Sequence, residues 1–174
     1  MTFSLNEVEA TAKKATRGAG YPWGMAEEAG KAVRWLCAQG MDGCEALAEL
    51  LKKFDGASLS QVAPQATGED WSAPGGLLCP LMTGTAMSDR ASDIVGASIR
   101  ASEVAVPRFL FFFAASVAAQ CKNVITLDWP GGSAVTDGAR LSLHGAPAGN
   151  LANWVRIQAG GALERPNQVA TRAD

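Results

Sequence analysis

The sequence predicts an α+β fold, in which an N-terminal lobe of three helices precedes an antiparallel sheet covered by a buried helix rich in phenylalanine and alanine. Three observations indicate this class. Apolar residues recur at helical spacing over residues 1–56, a uniformly apolar segment occupies residues 109–120, and alternating segments with turn signals follow it. Strands and helices do not alternate regularly, as they would in a doubly wound parallel sheet.

Capping signals delimit the helices of the N-terminal lobe. Ser4 and Glu7 have capping-box spacing, which predicts a first helix over about residues 5–17. A second helix is expected over residues 22–39, and a third follows Asp42. One face of the second helix carries only small side chains, which suggests close approach by another helix: Ala26, Ala29, Gly30 and Val33.

The middle of the chain has the composition of a connecting segment. Residues 57–76 are rich in Ala, Ser, Gln, Gly and Pro, and we expect a linker or lid that Trp71 anchors to one of its neighbours. It would join the helical lobe, residues 1–56, to a sheet region over residues 77–160. Residues 161–174 should form a weakly packed tail, and the whole chain is expected to be one structural domain.

The sheet region is expected to open with a short strand over residues 76–82, at an edge or interrupted, because Pro80 cannot donate to a ladder. Ser88 has the chemistry of a cap for one or two helical turns ending near residue 96. Residues 97–106 are ambiguous. Pro107 suits the first turn of the buried helix, because that position needs no amide donor.

The remaining strands are predicted from alternation and turn chemistry. Residues 124–129 alternate between apolar and polar side chains, which is typical of a half-buried strand. Asp137 and Gly138 predict a type I′ hairpin between two further strands, and residues 154–159 predict another.

Composition and charge argue against several classes of function. Seventeen acidic and fifteen basic residues give a formal charge of −2 and a pI near 5.4, so we expect no nucleic-acid partner. The apolar run is about half of the roughly 20 residues that cross a bilayer, so we expect no membrane association. The segment after Met1 lacks a secretory signal pattern, and the four cysteines lack metal-ligand spacing. A cytoplasmic protein with reduced thiols, no metal and no cofactor is expected.

The most informative segment is Arg-Gly-Ala-Gly-Tyr-Pro-Trp-Gly, which starts at Arg17. Its glycines superficially match a dinucleotide fingerprint, but that fingerprint follows a strand, and here a helix is predicted. Two interpretations remain: amides at the start of the second helix hold a small anion or carboxylate, or Tyr21 and Trp23 fill a tight helical corner. A ligand pocket between lobe and sheet would use Arg17, Tyr21 and Trp23, together with Trp71 and Asp89.

A second candidate site lies on the polar side of the predicted sheet. His144 is the only histidine, so any mechanism that needs an imidazole must use it. Alternation places His144 on one face with Arg140, and Asp128 would contact the imidazole if their strands were neighbours. The alternative is a solvated sheet face, and no catalytic residue is assigned.

Four segments resemble the bacterial family of unknown function DUF3726. They are Ser4-Leu-Asn-Glu-Val-Glu, Arg17-Gly-Ala-Gly-Tyr-Pro-Trp-Gly, Ala26-Glu-Glu-Ala-Gly-Lys-Ala-Val-Arg-Trp and Leu78-Cys-Pro-Leu. The resemblance is strongest over residues 4–36 and implies a cytoplasmic bacterial protein. It carries over no activity and no catalytic residues.

Two classes of function are therefore expected. The first is association, as a homo-oligomer or with another protein partner, which the small-sided helix face, five tryptophans and lack of a catalytic set favour. The second is a small-molecule binding protein or enzyme with its pocket between the helical lobe and the sheet.

Overall fold

The computed structural model describes residues 2–163. Three helices come first and a region of helices and strands follows, which confirms the predicted α+β fold. The predicted tail over residues 161–174 lies outside the described residues from position 164 onward. The helices are α1 (Leu5–Gly18), α2 (Trp23–Ala38), α3 (Gly43–Lys53), α4 (Leu59–Val62), α5 (Pro80–Asp89), α6 (Ala91–Gly96) and α7 (Leu110–Cys121). The strands are β1 (Gln65–Thr67), β2 (Asp70–Ser72), β3 (Ile99–Ala105), β4 (Ile125–Trp129), β5 (Gly132–Thr136), β6 (Leu141–Gly145) and β7 (Leu151–Ala159).

Helices α1 to α3 form where the capping signals predict them. The Ser4 hydroxyl accepts a hydrogen bond from the Glu7 amide at 3.3 Å, and the Glu7 carboxylate accepts one from the Ser4 amide at 2.8 Å. Asp42 accepts a bond from the Glu45 amide at 2.9 Å at the start of α3. The predicted bounds of α1 and α2 are confirmed to within one residue at each end.

The small-sided face of α2 packs against α1. A Cβ atom on Gly30 would lie 3.0 Å from the Glu9 carbonyl oxygen, so the two backbones approach closely at this point. Ion pairs between Lys13 and Glu27 (3.0 Å) and between Arg34 and Glu9 (3.2 Å) join the same two helices. This face is therefore occupied within the chain, and it does not by itself indicate a partner.

Within the described residues, seven strands form one mixed sheet in the order β1-β2-β3-β7-β4-β5-β6. Strands β2 and β3 are parallel, and the other neighbours are antiparallel. The prediction of an antiparallel sheet is wrong only for this pair, because α5 and α6 connect β2 to β3 as a crossover. Strands β4 and β7 confirm those predicted over residues 124–129 and 154–159.

The segment predicted as a linker or lid, residues 57–76, supplies α4, β1 and β2. Trp71 of β2 is fully buried and pairs with Ala101 of β3. Its two strands were missed because β1 is an edge strand and each contains only three residues, so the segment has little apolar alternation.

The strand predicted over residues 76–82 is also wrong. Leu78 makes only an isolated parallel bridge to β3, and Pro80 begins α5. Proline fits the first turn of a helix, where no amide donor is needed. Ser88 lies inside α5 instead of capping a helix, and the ambiguous residues 97–106 contain β3.

Helix α7 covers one face of the sheet and is buried along most of its length, as predicted. Its Phe111 ring stacks on Trp129 of β4 with 5.5 Å between centroids. On its other side, Phe113 fills the space beside Gly84 of α5, where any Cβ atom would overlap the phenyl ring. Helices α5 and α7 and the sheet therefore share one core.

The hairpin between β5 and β6 forms, but not through the predicted type I′ turn. The register leaves residues 137–140 in the loop, and only Gly138 has a positive φ, of +100°, whereas a type I′ turn needs two such residues. The Asp137 carboxylate accepts hydrogen bonds from the amides of Ala139 (3.0 Å) and Arg140 (2.8 Å). These bonds stabilise the longer turn.

Candidate functional site

The glycine- and aromatic-rich turn between α1 and α2 is a hydrogen-bonded corner. The Arg17 guanidinium donates to the Tyr21 carbonyl oxygen at 2.9 Å, and its carbon lies 5.1 Å from the centroid of the Trp23 ring. The Lys13 ammonium lies 5.6 Å from the same ring. Gly20, with φ of +96°, lets the chain leave α1. Trp23 is 59% exposed, so two cations hold it at the surface, and it does not fill the core.

Tyr21 connects this corner to the start of α5. Its side chain is buried, and its hydroxyl lies 3.4 Å from the Cys79 sulfur. Burial raises the pKa of Tyr21 and also raises the pKa of the Cys79 thiol. Both groups are therefore neutral at physiological pH, and a neutral buried thiol is a poor nucleophile. The contact is structural.

The structure assembles three of the five residues predicted to line a pocket. Arg17, Tyr21 and Trp23 meet at the corner. Asp89 is exposed at the far end of α5, and this ten-residue helix spans roughly 15 Å. Trp71 lies beside Arg90, whose guanidinium carbon is 5.5 Å from the indole centroid.

The polar residues predicted to share one face of the sheet do not form a single cluster. Asp128 of β4 pairs with Ser133 of β5, and Ser133 pairs with His144 of β6. Asp128 and His144 therefore share a face, but two strand spacings, roughly 9 to 10 Å, separate their backbones. Arg140 lies in the hairpin loop and pairs with Asp137 at 2.8 Å. Alternation predicted the shared face, but it does not encode the order of the strands.

An apolar groove with a volume of about 350 Å³ lies on the N-terminal lobe between α1 and α3. A volume of this size is in the range of small-ligand and side-chain pockets. Phe3, at one border, is 63% exposed. Helical periodicity predicts an apolar face on α1 but does not show whether another element covers it, so the groove was not predicted from the sequence. Its lining includes Phe3, Val8, Thr11, Ala15, Leu47 and Leu51.

Charges of opposite sign lie along the outer side of α1. Glu7 and Lys14 are both exposed, and their spacing of two helical turns places them on one side of the helix. The hydrogen bond from the Ser4 amide lowers the pKa of Glu7, so the carboxylate is ionised at neutral pH. The helix therefore carries a negative charge near its start and a positive charge near its end.

Family comparison identifies the part of the chain that holds both the corner and the groove. Residues 3–79 match the model of the family described as protein of unknown function, DUF3726. The resemblance recognised from the sequence is confirmed over this segment. The DUF3726 segment contains α1 to α4, β1 and β2, and it ends at Cys79, the contact of Tyr21. No curated protein and no solved structure matches the chain significantly.

The part of the chain after the DUF3726 segment completes the sheet. Over residues 2–163, none of the helices combines the length and apolar character that a membrane span needs. In the same range, no group of three or more His, Cys, Asp or Glu side chains is placed to hold a metal ion. All four cysteines are unbridged.

Proposed function

We propose that this chain acts through protein association, and that its partner is a second copy of itself bound through the groove between α1 and α3. One observation carries the proposal: Phe3 is the most exposed large apolar side chain of the described residues and borders an apolar groove on the same surface. In a two-fold dimer, the projecting side chain of each copy can enter the groove of the other copy, so that the contact is made twice.

An antiparallel approach of two α1 helices would use both the apolar and the charged features. Thr11, in the middle of the face, would lie against Thr11 of the second copy. Glu7 would then face Lys14 of the second copy, and this complementary pair would form twice. The small, exposed side chains of Thr11 and Ala15 leave room for close approach, and Phe3 would reach the Ala15 end of the partner groove.

We also propose that the dimer belongs to the bacterial cytoplasm. The bacterial origin rests on what the sequence resemblance implies, and the match of residues 3–79 to DUF3726 supports that resemblance. The unbridged cysteines are consistent with a reducing compartment, where disulfides are rare.

Light scattering of the full chain over a concentration series tests the dimer. We expect the mass to rise from one chain to two as the protein concentration increases. Thr11→Arg places a cation in the middle of the apolar face and should give a monomer throughout, because an unpaired buried charge is costly. The matched control is Ser92→Arg, which replaces another exposed hydroxyl side chain with arginine on α6, outside the groove lining, and should leave the dimer intact.

Charge reversal tests the orientation of the two helices. Lys14→Glu should weaken the dimer roughly tenfold at low salt and less at high salt, because it sets two carboxylates against each other. Lys53→Glu makes the same charge change on the exposed side of α3 and should have little effect. A wild-type chain that is monomeric at every concentration, or equal effects of each variant and its control, would contradict the proposal.

A further inference from the structure

One row of paired residues crosses the sheet on the face that α7 leaves uncovered. Asp70 of β2 lies opposite Arg100 of β3, Arg100 lies opposite Arg156 of β7, and Arg156 lies opposite Asp128 of β4. Residues paired in this way carry their side chains on the same face. Two arginines therefore stand side by side in the middle of the open face, with one carboxylate beyond each of them.

The two arginines form an uncompensated pair of like charges. Cations directly opposite each other on neighbouring strands destabilise a sheet. Asp70 and Asp128 flank the pair in register, yet among the described residues no carboxylate oxygen lies within 4.0 Å of either guanidinium. Arg100 and Arg156 are both exposed. An arrangement of this kind is stabilised when an anion binds between the two cations.

The Trp154 ring lies beside both guanidinium groups. The guanidinium carbon of Arg100 lies 5.0 Å from the centroid of the indole ring, and that of Arg156 lies 5.7 Å from the same centroid. A guanidinium that stacks on an aromatic ring keeps its N–H donors, which lie in its own plane. Both arginines therefore contact the same ring without using their hydrogen-bond donors.

We propose that Arg100 and Arg156 bind a doubly charged oxyanion beside Trp154, and that the ligand class is a small phosphate monoester. A phosphate monoester carries about −2 charges at neutral pH, which matches two guanidinium groups. The planar donors of arginine also fit pairs of phosphate oxygens.

The flanking carboxylates favour a small ligand over a nucleic acid. Asp70 and Asp128 lie at either end of the pair and would repel the further phosphates of a polyanionic strand. They can instead accept hydrogen bonds from the hydroxyl groups of a compact ligand. The proposed site lies on the open sheet face, between β2 and β4, and does not depend on association through the groove.

Calorimetric titration of the full chain with inorganic phosphate at constant ionic strength tests this site. We expect saturable binding that weakens at least tenfold in Arg100→Gln and in Arg156→Gln, both of which keep a polar side chain at an exposed position. Arg34→Gln is the matched control, because it removes the same charge from α2, where Arg34 pairs with Glu9. It should bind phosphate like the wild type.

Further titrants distinguish the ligand classes. Chloride at the same ionic strength should give no saturable signal, and malonate should bind more weakly than phosphate. An equal response to chloride, or unchanged phosphate binding in both glutamine variants, would overturn the site. Saturation by malonate without saturation by phosphate would overturn the phosphate class. Tighter binding of a single-stranded oligonucleotide, lost in the same variants, would overturn the choice of a small ligand.

Discussion

Strand β7 contributes Val155 and Ile157 to the face beneath α7, and Trp154 and Arg156 to the opposite face. The first two side chains are fully buried, whereas Arg156 is exposed and lies opposite another arginine. The same strand therefore serves two environments, because side chains alternate along it. Side chains on the covered face pack beneath α7. The open face holds a like-charge pair that packing does not require.

This contrast separates residues that stabilise the fold from residues available to bind a ligand. Truncation of a side chain on the covered face leaves a cavity, and the loss in free energy of unfolding increases with the contacts that are lost. Substitution on the open face changes charge and hydrogen bonding but leaves no cavity. Stability and oxyanion binding should therefore respond to different substitutions on the same strands.

The largest expected effect is on the covered face. Phe113→Ala should lower the free energy of unfolding by about 3 to 5 kcal/mol, because the ring is fully buried between α7 and Gly84 of α5. Urea unfolding followed by circular dichroism measures it. A loss below about 1 kcal/mol would mean that the core around α7 does not determine stability in the way described.

A smaller effect is expected from adjacent positions of β7. Ile157→Val should lower the free energy of unfolding by about 0.5 to 1.5 kcal/mol, because it removes one buried methylene. Its neighbour Arg156→Gln should change that free energy by less than about 0.5 kcal/mol, because the relieved repulsion with Arg100 offsets the lost contact with Trp154. Parallel urea titrations compare them. A larger loss in Arg156→Gln would show that the arginine stabilises the sheet.

The smallest effect concerns the hairpin loop, which belongs to neither face. Hydrogen bonds from the Arg140 amide and guanidinium hold the pKa of Asp137 at about 2, below its ordinary value. The carboxylate therefore contributes stability above its unfolded-state pKa, and this contribution is lost as the pH falls towards about 2. In Arg140→Ala, an NMR titration of the Asp137 carboxyl should show its pKa moved partly back towards the ordinary value. An unchanged pKa would assign the shift to the backbone amides alone.

Helix caps, prolines and apolar runs correctly predicted the helices whose ends they determine. The pair Ser4 and Glu7 identified the start of α1, and Pro107 and the apolar run identified α7. Strands β1 to β3 were missed because they are short or lack clear alternation, and their pairing depends on distant segments. Pro80 was misread because proline fits both an interrupted strand and the first turn of a helix.

The candidate sites were predicted less completely than the fold. Arg17, Tyr21 and Trp23 contact one another because they lie within one turn of the chain. The row through Arg100 and Arg156 joins strands that are distant in sequence, and no pattern within either strand indicates the other. Asp128 was recognised as part of a polar face, but its place beside Arg156 required the strand order.

The open face of the sheet, and not its covered face, is the surface proposed to bind a ligand. NMR spectra of the arginine Nε–H and tryptophan indole groups during a phosphate titration test it most directly. We predict that the signals of Arg100, Arg156 and Trp154 shift together and saturate, while the indole signals of buried Trp71 and Trp129 remain in place. Shifts in Trp71 or Trp129 without shifts in the two arginines would contradict the account.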